Sequence, residues 1–171
     1  FIGLETLSDR TLVRERKRTL PPSEYSRVIA LLHAHGLEVN GSFVFGFDDD
    51  GPEVFDRTID FIVAERLECA TFHILTPYPG TPLFERLEAE GRLLTRDWAR
   101  YDTAHAVFRP ARMSPAELEA GYRRAYRRLY EWGTVLRRRP AGLLRAGAYL
   151  AMTGLYKKWD FIWRVLVPLR L

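Results

Sequence analysis

Three times in succession the chain sets a short run of strand-forming residues before an amphipathic helix, and this alternation restricts its fold more than any other feature. The first run, Phe1 to Leu4, is apolar, carries a glycine that allows close backbone approach, and ends at Glu5. A helix from about Pro22 to His35 follows, with Tyr25, Val28, Ile29 and Leu32 on one face and Gly36 as its stop. The second run, Val39 to Phe47, leads into Asp48-Asp49-Asp50-Gly51. Asp50, with Pro52 in the first turn and Glu53 three residues on, has the form of a capping box. The helix it predicts carries Val54, Phe55, Ile59, Ile62 and Val63. The third run, Cys69 to Leu75, ends at Thr76-Pro77-Tyr78-Pro79-Gly80, which can be neither helix nor central strand. Thr81 then caps a helix with Pro82 at its first position, and Gly91 stops it. Strands alternating with such helices imply parallel pairing through right-handed crossovers, an α/β arrangement.

Beyond Arg92 the pattern is irregular through Trp98, Tyr101, His105 and Phe108, and then only helical. Ser114-Pro115-Ala116-Glu117 predicts a capped helix to about Trp132, with Leu118, Tyr122, Ala125, Tyr126 and Leu129 on one face and Arg123, Arg124, Arg127 and Arg128 mostly on the other. Two further helices are expected, about Pro140 to Tyr156 and Trp159 to Val167. The apolar run Ala146 to Tyr156 falls short of the roughly 20 residues that cross a bilayer. This reading divides the chain into 1–95 (α/β part), 96–135 (linker and helical part) and 136–171 (basic amphipathic tail).

With 47% apolar and 28% charged residues, the chain should fold around a real core. Its one cysteine, Cys69, allows no disulfide and no thiolate cluster, as in a reducing, cytoplasmic setting. Phe1 lies inside an apolar run with no basic leader before it, as expected of a fragment. The net charge of +4 conceals an asymmetry: residues 1–108 hold 12 Lys/Arg against 18 Asp/Glu, and residues 109–171 hold 14 against 4. A partner for the basic part could be an acidic protein surface, a neighbouring domain or anionic lipid, which makes peripheral membrane contact by the tail an alternative mode of action. Arg137 to Arg139, Lys157, Lys158 and Trp159 fit an interfacial helix. Nucleic acid is not expected, because no reading motif accompanies the basic residues. The run Arg14 to Arg18 reads as a solvated loop or helix end.

In parallel α/β structures ligands gather beyond the carboxyl ends of the strands. Three places in the sequence qualify: Glu5 with Thr6, Gly46 to Asp50, and Leu75 to Gly80. Glu5 can accept hydrogen bonds from a sugar diol or serve as a surface ion-pair partner. Gly46 can admit a flat ring or simply turn the chain, and Thr76 to Gly80 exposes carbonyls because its prolines cannot donate. Asp48 to Asp50 reads as a helix cap, and a lone acidic triplet does not predict a metal. His33 and His35, two apart on a helix, share no face and make a zinc site improbable. His73 reads as a satisfied core histidine, with strand alternation deciding whether it points into a barrel or into the helix layer, and Cys69 reads as a buried small hydrophobe. Phosphate loops, recognisable Ser/His/Asp arrangements and paired-cysteine zinc motifs are absent from the sequence.

Phe-Ile-Gly-Leu-Glu-Thr (1–6), Gly-Ser-Phe-Val-Phe-Gly-Phe-Asp-Asp-Asp with Glu-Val-Phe (41–55) and Phe-His-Ile-Leu-Thr-Pro-Tyr-Pro-Gly-Thr-Pro-Leu (72–83) resemble the fourth to sixth strands of the radical S-adenosylmethionine barrel, most closely its cobalamin-binding branch. Residues 98–101, 105–113, Ser114 to Glu119 and Gly121 to Arg124 resemble the helical domain that follows that barrel. The resemblance implies a partial parallel (βα) barrel with an α-helical extension. It also implies S-adenosylmethionine, a [4Fe–4S] cluster and cobalamin as cofactors of the intact protein, none held tightly by this chain alone. By the same resemblance Glu5 would meet the ribose hydroxyls, Val44 and Gly46 would pack on adenine with Asp49 at the acidic position, and Leu75 and Thr76 would touch adenine through their backbone. Ser42 stands where that motif often has glycine. The implied partners are the missing half of the barrel, a cobalamin-binding domain and a small apolar substrate. The implied activity is radical chemistry, with methyl transfer as one form of it. A chain with one cysteine is not expected to bind the cluster, and half a barrel is expected to leave strand edges open to self-association.

Overall fold

A computed structural model describes residues 1–14 and 20–166, and the side chains among them up to Lys157. Residues 15–19, which hold all of the arginine-rich run but Arg14, Val167 of the last expected helix, and the side chains of Lys158 and Trp159 lie outside the described residues. The elements run β1 (Ile2–Glu5), α1 (Asp9–Arg14), α2 (Pro22–Ala34), β2 (Asn40–Phe45), α3 (Val54–Ala64), β3 (Cys69–Ile74), α4 (Pro82–Ala89), a single 3₁₀ turn (Trp98–Arg100), α5 (Pro115–Leu129), α6 (Trp132–Arg138) and α7 (Leu143–Leu166).

The three strands form one parallel sheet in the order β1-β2-β3. Asn40 pairs with Cys69 and the register runs unbroken to Phe45 opposite Ile74, whereas β1 slips between Gly3 and Glu5. The slip coincides with Glu5 at φ 65°, a left-handed conformation that is strained for a glutamate.

Alternation divides the sheet into two unlike faces. Phe43, Phe45, Ala70, Phe72 and Ile74 point into a layer formed by α2, α3 and α5, where Phe45 meets Phe55, Phe43 meets Phe61 and Phe72 meets Tyr126. The opposite face carries Asn40, Ser42 and Val44 beside Cys69, Thr71 and His73. The helix layer is packed closely. A Cβ on Gly121 of α5 would lie 2.1 Å from the Phe55 ring, and one on Gly41 would lie 2.6 Å from Leu67. One buried cluster therefore runs from Leu4 through the strands to Leu118, Ala125 and Leu129.

Part of the charge asymmetry is satisfied inside the molecule, at α5. Arg128 of α5 reaches Asp60 at 2.6 Å and Asp56 at 2.9 Å on α3, and Arg124 approaches Asp56 at 3.9 Å. For α5, then, the acidic partner is the neighbouring α/β part. Nor is the cluster Arg137 to Arg139 wholly solvated: Arg138 is 1% exposed and donates to the carbonyls of Leu67, Glu68 and Leu129.

Two expectations about helices need correction. The expected pair Pro140 to Tyr156 and Trp159 to Val167 is one continuous helix, Leu143–Leu166, because Lys157 and Lys158 contain no breaker and polarity alone does not end a helix. The helix from Ser114 stops at Leu129, and Trp132–Arg138 forms a separate short helix. The outer edge of β3 is also not left open. Tyr126 bonds the backbone of Phe72 in both directions, and Ile74 N–H donates to Thr103 O at 2.7 Å. Among the described residues β1 pairs on one side only.

Candidate functional site

Parallel order and register bring the carboxyl ends of all three strands to one end of the sheet, and the open face supplies the side chains there. Glu5 stands on that face, since its Oε1 would be 3.4 Å from a Cβ built on Gly3, the partner of Ser42. Val44 and His73 are direct cross-strand neighbours on the same face and are half-buried. His73 Nδ1 lies 3.2 Å from Thr103 Oγ1, and Nε2 has no partner among the described residues. Thr103 is held at φ 63°, so one strained residue both caps the β3 edge and fixes the imidazole. Lower on the face, Asn40 Oδ1 and Thr71 Oγ1 are buried without a hydrogen-bond partner, so this wall is polar and only partly satisfied.

Gly46 sits at φ 104°, and a Cβ there would be 3.0 Å from Leu118 and 3.5 Å from Phe108. Glycine is therefore required by the turn and by the packing of α5, and a flat ring could approach this residue only from the other side. Leu75 N–H is taken by Phe45 O at 2.8 Å, which leaves its carbonyl as the backbone group for a ligand. Thr76 is buried, with its hydroxyl donating to Ile74 O at 3.0 Å.

The acidic triplet does three separate things. The Asp48 side chain is 7% exposed and accepts from Arg86 (2.6 Å), Arg92 (2.7 Å) and Arg14 (2.9 Å), tying the segments after β1 and β3 to the loop after β2. Burial pushes its carboxyl up, but hydrogen bonds and charge from Arg92 and Arg86 outweigh burial and hold it below the usual carboxylate range. Asp49, partly exposed, faces Arg14 at 3.6 Å, and its carbonyl accepts from Arg112.

Asp50 is not the cap of α3. Its carboxylate accepts from Gly46 N and Phe47 N, both at 3.0 Å, and α3 begins at Val54 without a side-chain cap. The backbone donors just behind Asp50 compete successfully for the oxygen that the capping box would have used. Burial pushes this carboxyl up to about 6 despite those two bonds. Thr81 and Ser114, by contrast, do cap their helices, the latter with the full reciprocal box from Glu117.

Glu5, Val44, Gly46, Leu75 and Thr76 thus share one end of the sheet, with Asp49 in the adjoining loop. Sequence reasoning missed the arginine hub on Asp48, the clamp of Thr103 on His73 and the edge cap by Tyr126, since each joins residues 30 or more positions apart. Cys69 is the first residue of β3, so it lies at the opposite end of the strands. No group of three His, Cys, Asp or Glu able to hold a metal occurs among the described residues. Nor is any helix there long and apolar enough to cross a membrane.

Among characterised proteins, the chain is 36% identical over 137 residues to a bacteriochlorophyllide d C-12(1)-methyltransferase of Chlorobaculum tepidum, covering 80% of this chain and 30% of the relative. It is 29% identical over 137 residues to the C-8(2)-methyltransferase of the same organism, with the same coverage. It is 32% identical over 100 residues to the hopanoid C-2 methylase of Rhodopseudomonas palustris, covering 57% of this chain and 18% of the relative. The chain therefore spans less than a third of the length of these relatives. Residues 81–166, which include α4 to α7 and the segments that cap β3, match the family model described as Domain of unknown function (DUF4070), and the chain belongs to that family.

Proposed function

We propose that this chain is the C-terminal part of a radical S-adenosylmethionine enzyme that methylates a carbon of an apolar small molecule, and that the open face of its sheet receives the adenosyl group. The observation that carries the reading is the common edge formed by Glu5, Val44 and Leu75 on three adjacent parallel strands, where one nucleoside could touch all three. Similarity to methyltransferases named for bacteriochlorophyllide and hopanoid substrates supports the reaction class and the apolar substrate.

In the intact protein a [4Fe–4S] cluster would supply the electron for reductive cleavage of S-adenosylmethionine, with methionine leaving, and cobalamin would serve as methyl carrier. The residues present do not fit the cluster: a single thiol stands at the wrong end of the strands, and burial pushes it up, away from the thiolate form. The cluster ligands, the strands that pair on the free edge of β1 and the cobalamin-binding domain would therefore come from outside this chain.

The chain's own residues fit the nucleoside. The Glu5 carboxylate accepts hydrogen bonds from the ribose diol, held in place by its left-handed backbone. Val44 gives the base an apolar surface, and the Leu75 carbonyl accepts from an exocyclic amine. Thr76, buried and self-bonded, shapes the backbone rather than reaching out. Gly46 and Asp49 position the loop, Gly46 through its turn and Asp49 through Arg14 and Arg112.

The test uses the intact protein reconstituted with iron and sulfide, reading 5′-deoxyadenosine formation and, separately, S-adenosylmethionine affinity by equilibrium dialysis. Loss of charge-assisted bonds in Glu5→Gln should weaken affinity about 10- to 100-fold, from roughly 1.5–3 kcal/mol. Unchanged affinity in that variant, or no cleavage by the reconstituted wild type, would contradict the proposal.

A further inference from the structure

From Trp132 to Trp159 the sequence contains no aspartate or glutamate. Among the described residues the same stretch holds the least covered apolar side chains, Leu143 at 92% and Leu144 at 90% exposure, with Met152 and Leu155 further along it. Leu144, Ala148, Ala151 and Leu155 fall at intervals of four, three and four on α7 and make one continuous exposed stripe, with Met152 beside it. The opposite side of α7 is seated on the molecule through Tyr149, Thr153 and the stacked pair Tyr130–Tyr156.

Where the stripe begins, an open cavity of about 550 Å³ is lined by Arg66, Arg137 and Arg139 together with Leu136, Pro140 and Leu143. None of the three arginines forms an ion pair among the described residues. Arg137 and Arg139 donate only to carbonyls of their own helix turn, Gly133 O and Leu136 O. This differs from Arg124 and Arg128 of α5, which face the acids of α3. The structure keeps three guanidiniums together without a carboxylate, next to bare leucines.

The surface also lies away from the candidate site. Arg138 binds the carbonyls of Leu67 and Glu68 just before β3, and Arg145 lies against Gly36 in the turn that precedes β2. The α6–α7 surface therefore covers the amino ends of the strands, while the candidate site is at their carboxyl ends. A flat partner could lie on this end and leave the site accessible.

We infer that the α6–α7 face docks on the surface of an anionic phospholipid bilayer, with Leu144, Met152 and Leu155 entering the acyl boundary and Arg66, Arg137 and Arg139 receiving headgroup phosphates. The occupant follows from charge complementarity. A bare apolar stripe suits many partners, but a stripe ending in three uncompensated guanidiniums and flanked by no acid suits an apolar layer beneath a negative one. This inference does not depend on the proposed radical chemistry.

The experiment is flotation of the full chain with vesicles of phosphatidylglycerol and phosphatidylcholine, compared with vesicles of phosphatidylcholine alone. Binding is expected on the anionic vesicles, falling as salt is raised, and at least tenfold weaker on the neutral ones. Leu143→Asp with Leu144→Asp, both on solvent-exposed positions, should weaken binding at least tenfold. Arg137→Gln with Arg139→Gln, which leaves the apolar stripe intact, should weaken it about fivefold per arginine. Circular dichroism verifies that each variant folds, and if the aspartate pair does not, the glutamine pair decides. Absence of wild-type binding, equal binding to both vesicle types, or full binding by a folded variant pair would overturn the inference. So would binding by this chain that is lost in the intact protein, because the face would then be an internal interface.

Discussion

Replacing Tyr126 with phenylalanine removes one oxygen and keeps the ring that packs at 4.8 Å on Phe72. That oxygen accepts from Phe72 N–H at 3.0 Å and lies 3.3 Å from Phe72 O, so it stands where a further strand would otherwise pair. Losing it leaves a partly buried donor and acceptor without a partner, at about 1–3 kcal/mol. For a chain of 171 residues that corresponds to a fall in melting temperature of roughly 3–9 °C. Thermal unfolding by circular dichroism reads the loss, and hydrogen exchange at the Phe72 amide locates it. Sedimentation velocity should also show more self-association, since a sealed edge has been reopened. A Tyr126→Phe variant with unchanged melting temperature and unchanged Phe72 protection would refute the view that the helical segment closes the sheet at β3.

Gly121→Ala should destabilise the chain by about 1–3 kcal/mol in urea unfolding, because a Cβ 2.1 Å from Phe55 forces α5 off α3 and outweighs the gain in helix propensity. Asp48→Asn should cost about 1–3 kcal/mol by the same assay, as three partly exposed guanidiniums lose their shared carboxylate. Asp50 has a folded value of about 6 above an ordinary 3.8, so its contribution is complete below about pH 4 and is lost as pH rises through 6. Stability measured from pH 4 to 7 should therefore fall by up to about 3 kcal/mol from this group, and Asp50→Asn should flatten the profile.

What the sequence revealed depended on the range of the interaction. The parallel sheet followed from periodicity, and the Thr81 and Ser114 caps followed from residues three apart, because both are decided locally. Asp50 satisfied the same local rule and broke it, since two donors at the end of β2 were nearer than the helix it precedes. Arg138 was indistinguishable by sequence from its neighbours Arg137 and Arg139. Only the carbonyls of Leu67 and Glu68, some 70 positions earlier, make it a core residue. The expected site residues stand at strand ends in the sequence, and the parallel register gathers those ends on one side of the sheet. The Asp48 hub was hidden because its arginines come from the segments after β1 and β3, with no common spacing.

The most direct measurement is the structure of the intact protein with S-adenosylmethionine bound. Adenine should lie against Val44 and the Leu75–Thr76 backbone, with the ribose hydroxyls on the Glu5 carboxylate. A nucleoside seated elsewhere, with Glu5 turned away from it, would contradict the account.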